Sequence, residues 1–202
     1  MRDANLASAP VPLPGPRVAT NEVAIHPDDN TVLARVSSGA AAGQDLWWWT
    51  LTDTTPHPFT SALEFETGAR FSPDGKYVAY NAAVAGASDV YVAPFPGPGG
   101  RVRVARAGVG LPVWGQDART LYFPQDNTLV EATLSYAPTI FVRSTRVVVD
   151  GNFAMIDPLH AAFDAAPDGT IVLVRSVREP RLIIIPDFAA EIRKRLGRQG
   201  VR

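Results

Sequence analysis

Six residues carry groups from which a binding or catalytic surface can be assembled. Glu64, Glu66, Asp157 and His160 supply carboxylates and an imidazole, Arg70 a guanidinium, and Trp48 an indole. A lyase or hydrolase would need the four titratable groups to converge, with acid and base held in place. All four fall in loop-like segments, and their spacing does not force convergence. The expected role of the six is a surface for a protein or peptide partner. Segment 152–160, long and irregular, belongs to that surface, because long loops in compact folds are often functional.

Other chemistry-bearing patterns reduce to structure. His26-Pro-Asp-Asp-Asn30 gathers an imidazole and two carboxylates within five residues. Metal ligation needs such donors to converge. A turn needs the same residues to hydrogen-bond its backbone, and that is the expected reading. His57 and His160 are isolated in sequence, and there is no Gly-x-Ser-x-Gly elbow. Gly97-Pro-Gly-Gly100 lacks the Lys-Ser/Thr of a phosphate loop and joins two strand-like runs. Neither His-Arg-Asp nor Asp-Phe-Gly occurs. The expectation is a chain with no catalytic motif of its own, no cofactor and no metal. Arg101, Arg103 and Arg106 lack the interleaved aromatics of a base-stacking surface, so nucleic-acid binding is not expected. Arg101 and Arg103 are expected to share a solvated strand face.

The elements that position these groups repeat. Ile25-His-Pro-Asp-Asp-Asn30, Phe71-Ser-Pro-Asp-Gly-Lys76, Trp114-Gly-Gln-Asp-Ala-Arg119 and Ala165-Ala-Pro-Asp-Gly-Thr170 are four copies of one turn. Their aspartates, Asp28, Asp74, Asp117 and Asp168, lie 46, 43 and 51 residues apart. Each turn is flanked by short runs that alternate in the strand manner. A strand-and-turn repeat of roughly 40–50 residues is the signature of propeller blades. The expected fold is an all-β propeller with about four recognisable blades, at 21–62, 63–108, 109–151 and 161–186. Residues 1–20, rich in proline, form a linker or incomplete strand. In 187–202, Asp187 caps a short amphipathic helix with Phe188, Ile192 and Leu196 on one stripe. In Trp47-Trp48-Trp49, the outer two face one side of a strand and Trp48 the other. Core packing is the expected role; an aromatic platform for a sugar or peptide is the alternative.

Composition bounds the function classes. The 202 residues are 46% hydrophobic and 19% charged, a globular balance. A net charge of -1 gives no electrostatic case for nucleic acid or an anionic membrane. The absence of cysteine excludes disulfides and thiolate chemistry. No run approaches the ~20 apolar residues of a membrane helix. The first residues lack the pattern of a signal peptide. The chain as written is expected to be cytoplasmic, or extracytoplasmic if it is the end of a longer exported protein.

Ala69-Arg-Phe-Ser-Pro-Asp-Gly-Lys-Tyr-Val-Ala-Tyr80, Asp89-Val-Tyr-Val-Ala-Pro-Phe-Pro96 and Pro112-Val-Trp114 resemble the WD-like propeller repeats of the TolB type. Phe163-Asp-Ala-Ala-Pro-Asp-Gly169 followed by Leu182-Ile-Ile-Ile-Pro-Asp-Phe188 looks like the C-terminal end of such propellers. The resemblance spans residues 20–196. It implies a scaffold or sensor module, free-standing or attached to a bacterial Ser/Thr kinase, with a protein or peptide partner. The alternative it leaves open is an enzyme or enzyme-regulating propeller, such as that of a prolyl-oligopeptidase-like peptidase. Propellers of this type usually close with six or more blades. The four copies are therefore expected to be part of a six- to eight-bladed propeller, completed by upstream blades or by a homodimer. A closed four-bladed ring is the other possibility.

Overall fold

The computed structural model describes residues 12–37, 44–60, 64–84, 87–97, 99–106, 110–151, 161, 163–166 and 168–174. The described residues form strands and turns with no helix, hence none that could cross a membrane. The first blade contains β1 (Thr20–Ile25), β2 (Thr31–Ser37), β3 (Gln44–Thr50) and β4 (His57–Pro58). The second contains β5 (Phe65–Phe71), β6 (Tyr77–Val84), β7 (Ala87–Pro94) and β8 (Val102–Ala105). The third contains β9 (Val113–Trp114), β10 (Thr120–Gln125), β11 (Thr128–Ser135) and β12 (Phe141–Asp150). β13 (Phe163–Ala165) and β14 (Ile171–Leu173) begin a fourth. Within each blade, successive strands pair antiparallel. One parallel pairing, Gln44 with Phe65, joins the first two blades.

Period-two alternation explains how blades stack. On β6, Val78, Tyr80 and Ala82 face the first blade, where they meet Leu33 and Leu46. Ala79 faces the third, with Trp114, Leu121 and Phe123. On β7 the same alternation sends Ala93 one way and Val90 and Val92 the other. A strand covered on both faces reads as a continuous apolar run, which is why β2 is buried along nearly its whole length. Each fully buried Val or Leu contributes roughly 2 kcal/mol. A smaller cluster, Leu129 with Phe163, joins the third blade to the fourth.

The repeat aspartates do what the turn needs. Asp28 Oδ1 accepts the N–H of Asn30 and of Thr31 at 2.8 Å each, and its Oδ2 accepts the Thr31 hydroxyl at 2.8 Å. Asp117 accepts the Thr120 N–H at 2.9 Å, and Asp168 the Thr170 N–H at 2.8 Å. Asp74 accepts the Ser72 hydroxyl at 2.6 Å and the Lys76 N–H at 3.2 Å. Gly75 and Gly169 take left-handed φ values of 73° and 83°. In the first copy Asp29 holds the same place at φ 56°, since aspartate tolerates that region better than most residues.

Some elements differ from expectation. β5 starts at Phe65, well ahead of the repeat turn, because Phe65, Glu66 and Thr67 pair with Ala83, Ala82 and Asn81 ahead of a bulge. The charged Glu66 concealed this start. β12 runs over ten residues, Phe141–Asp150. Its mostly exposed side chains carry no apolar pattern, and pairing with β11 holds it. Arg101 precedes β8 rather than sharing its face with Arg103. Arg101 pairs with Glu64 and Arg103 with Asp89, so the expected solvated face is tied down. Segment 152–160, residues 175–186 of the expected fourth blade and the expected helix in 187–202 lie outside the described residues.

Candidate functional site

At the junction of the first two blades, side chains of β3 to β7 and of the segments that follow β4 and β7 leave a cleft of about 660 Å³. On the first-blade side stand Trp48, His57, Phe59 and Thr60; on the second-blade side stand Tyr80, Pro94, Pro96 and Arg101. Trp48 projects here because alternation along β3 sends Trp47 and Trp49 to the opposite face, with Val32 and Ala34. The Trp48 ring stacks on His57, with centroids 4.5 Å apart, and meets Phe95 edge-on at 5.5 Å. Trp48 is half-buried. It is thus packed against neighbours and also presented to the cleft.

Glu66 lines the same cleft and is fully buried. Its Oε2 accepts the Leu46 N–H at 3.2 Å and the Thr60 hydroxyl. Its Oε1 has no hydrogen-bond partner. Burial pushes the carboxyl up to about 7, helped by Asp45 and Glu64, against the hydrogen bonds from Thr60 and Leu46. A buried carboxyl with one idle oxygen is costly to retain. Such groups concentrate at binding and catalytic sites.

Arg101 crosses between strands to hold the rim. It makes a two-point ion pair with Glu64, one arm at 2.7 Å, and its guanidinium lies 4.2 Å from the centroid of the Tyr91 ring. The pair holds the Glu64 carboxyl below its ordinary value and Arg101 above its own. Burial raises the Tyr80 phenol to about 12, so it stays protonated at neutral pH.

The structure therefore gathers Trp48 and Glu66 in one cleft and brings Glu64 to it through Arg101. Arg70 lies elsewhere, in a groove of about 640 Å³ lined by Glu22, Trp114, Phe163 and Asp164 from the first strands of all four blades. Its carbonyl accepts the Trp114 indole N–H at 3.0 Å. Asp157 and His160 lie outside the described residues. Among the described residues, no group of three or more His, Asp or Glu is placed to hold a metal ion. His26 serves blade contact: its Nδ1 accepts the Asp28 N–H at 3.1 Å and its Nε2 donates to the Gly75 carbonyl at 3.1 Å. Sequence reasoning missed Tyr80, Phe59, Thr60 and Arg101 as cleft residues. The alternation of Val78, Tyr80 and Ala82 marks Tyr80 as inward-facing, but no local signal pairs Arg101 with Glu64, 37 positions away.

No protein-family model matches the chain, and no curated protein matches it. Solved structures do. TolB from Acinetobacter baumannii superposes with a TM-score of 0.56 at 16% identity, over 79% of this chain and 38% of that one. A putative TolB from Agrobacterium tumefaciens gives 0.51 at 14%, over 77% and 59%. Kuenenia stuttgartiensis hydrazine synthase gives 0.50 at 12%, over 77% and 58%. The chain thus spans less than two thirds of the length of each. At these identities the likeness concerns fold, and one fold hosts unrelated activities. Together, the repeat turns, the four-stranded antiparallel blades and these superpositions make the fold that of a TolB-like β-propeller.

Proposed function

We propose that this chain is a non-catalytic binding module, a scaffold or sensor propeller that takes a protein or peptide partner in the cleft between its first two blades. The observation that carries this reading is the cleft itself, with Trp48, Phe59 and Tyr80 as walls and the buried, half-satisfied Glu66 as its floor. Aromatic side chains bury large area at low entropic cost and dominate peptide recognition. Two ion pairs flank the cleft, Arg101 with Glu64 and Arg103 with Asp89, an arrangement suited to fixing a surface. In a longer protein, such as a receptor-type Ser/Thr kinase, the module would report partner binding to a domain elsewhere.

The test is selection of peptides on the purified chain from a random display library, followed by affinity measurement in solution. Selected peptides are expected to bind, and Trp48→Ala to weaken them by about tenfold or more, the loss of one aromatic anchor. Arg70→Ala, in the separate groove, is expected to leave affinity within a factor of two. Equal loss with both variants, or binding no stronger than that of scrambled peptides, would overturn the reading.

A further inference from the structure

We infer that the partner group received by the interblade cleft is a single primary ammonium, from a lysine side chain or a chain N-terminus, held by Glu66. This rests on the reading of the cleft as the partner-binding surface and specifies its chemistry.

Four features select that group. The first is the carboxyl at the floor: Oε2 is occupied by the Leu46 N–H and the Thr60 hydroxyl, while Oε1 is idle. With Oε2 taken, an incoming group cannot bridge both oxygens. A guanidinium gains its advantage from two parallel bonds, which this carboxyl cannot offer. A trimethylammonium has no donor to give. An ammonium has three and needs only one here. The second feature is charge. Asp45 and Glu64 both lie close enough to Glu66 to act on its carboxyl. The basic group that lines the cleft, Arg101, is already held by Glu64. The third is the wall: Trp48, Phe59 and Tyr80 line the cleft with aromatic rings, and a desolvated cation beside an aromatic ring face is favoured. The fourth is depth. Glu66 exposes none of its own surface, so a group reaches it only by displacing the side chains that cover it, and a slender group displaces least. A four-carbon alkyl chain with a compact head meets that requirement better than a planar or trimethylated one.

The charge state of Glu66 then couples binding to pH. The titratable and charged groups around it are Asp45 on β3, His57 on β4, Glu64 before β5, Tyr80 on β6 and Arg101 before β8. Tyr80 stays neutral and the Glu64–Arg101 pair stays charged through the neutral range. Cation binding needs Glu66 ionised, so ligand affinity is expected to rise as pH rises through about 7.

The experiment uses the full chain and four tripeptide amides, followed by NMR titration of the tryptophan indole signals. N-acetylated Gly-Lys-Gly presents only a side-chain ammonium, and unacetylated Gly-Gly-Gly only a terminal one. N-acetylated Gly-norleucine-Gly and Gly-Arg-Gly are the neutral and guanidinium controls. At least one ammonium peptide is expected to bind about tenfold or more tightly than both controls, the value of one charge-assisted hydrogen bond. Which one binds identifies the source. Glu66→Gln, which keeps size and removes charge, is expected to abolish the preference. If that variant fails to fold, the wild-type pH profile replaces it: lysine-peptide affinity should rise about tenfold from pH 6 to 8, while norleucine-peptide affinity stays flat. The inference falls if norleucine binds equally, if neither ammonium peptide binds, or if Glu66→Gln or the pH change leaves the preference intact. If display-selected peptides still lose affinity with Trp48→Ala in those cases, the cleft remains the binding site and only its ammonium chemistry is wrong.

Discussion

Glu66 is the residue at which stability and recognition oppose each other. Its carboxyl titrates near 7 in the folded chain against an ordinary value of 4.5. The folded state therefore favours the protonated form. That contribution is complete below about pH 4.5, declines above it, and is gone once pH has risen through 7. One pH unit of difference is worth about 1.4 kcal/mol, so the loss across this window is about 3 kcal/mol. Urea unfolding of the wild type should show that fall between pH 5 and pH 8, and Glu66→Gln should flatten it. A wild-type stability that stays level would mean the carboxyl is charged throughout. Asp28 behaves in the opposite sense. Burial alone would raise it, but bonds from the Asn30 and Thr31 amides and the Thr31 hydroxyl, with the nearby His26, hold it well below its ordinary value. Its contribution is present above pH 4 and disappears only in strong acid. The two residues therefore affect separate pH ranges and can be measured apart.

At the scale of elements, blade contact depends on the turns as well as on the apolar faces. The first blade's turn reaches the second blade's turn through His26, which donates to the Gly75 carbonyl and meets the Phe71 ring edge-on at 4.8 Å. Gly75 combines φ 73° with close approach: an added Cβ would lie 2.2 Å from His26 Nε2. Gly75→Ala is expected to cost about 2 kcal/mol, from the left-handed backbone and the clash together. Adding His26→Ala removes the clash but not the backbone strain. The double variant should therefore be more stable than the sum of the singles predicts, by about 0.5 kcal/mol or more. Strict additivity in chemical denaturation would show that the two turns do not touch.

For the molecule as a whole, the described blades form a stack in which the second is enclosed. Its β6 and β7 present one face to the first blade and the other to the third. β13 and β14 form a short pair, with Val172 on β14 and Val174 just after it exposed. Buried strands open only with the global unfolding, whereas exposed short pairs open locally. Hydrogen exchange should therefore be slowest at Val78–Tyr80 and Val90–Val92, and faster by orders of magnitude at Phe163–Ala165. Uniform protection would mean that the blades unfold as one unit with no gradient.

Much of this architecture was legible in the residues because its causes are local. Asp28, Asp74, Asp117 and Asp168 mark turns through bonds to amides two or three positions away, so the repeat is visible without a fold. Alternation along Tyr77–Asn81 and the opposed faces of Trp47 and Trp48 follow from the pleat of a single strand. The early start of β5 was hidden, because Glu66 is charged and its place is set by a partner strand. The site was legible only in part. Trp48 and Glu66 stood among the six candidates, but their meeting depends on β3 and β5 coming together through the single Gln44–Phe65 pairing. Arg70 was separated from them by the same packing, since first strands line a groove of their own while the cleft opens between blades. The amino-acid order by itself determined strands, turns and blades, because those depend on short-range hydrogen bonds and side-chain alternation. Tertiary structure alone decided which charges are paired, which carboxyl oxygen is left idle and where the cleft opens, because those depend on contacts between residues far apart in the chain.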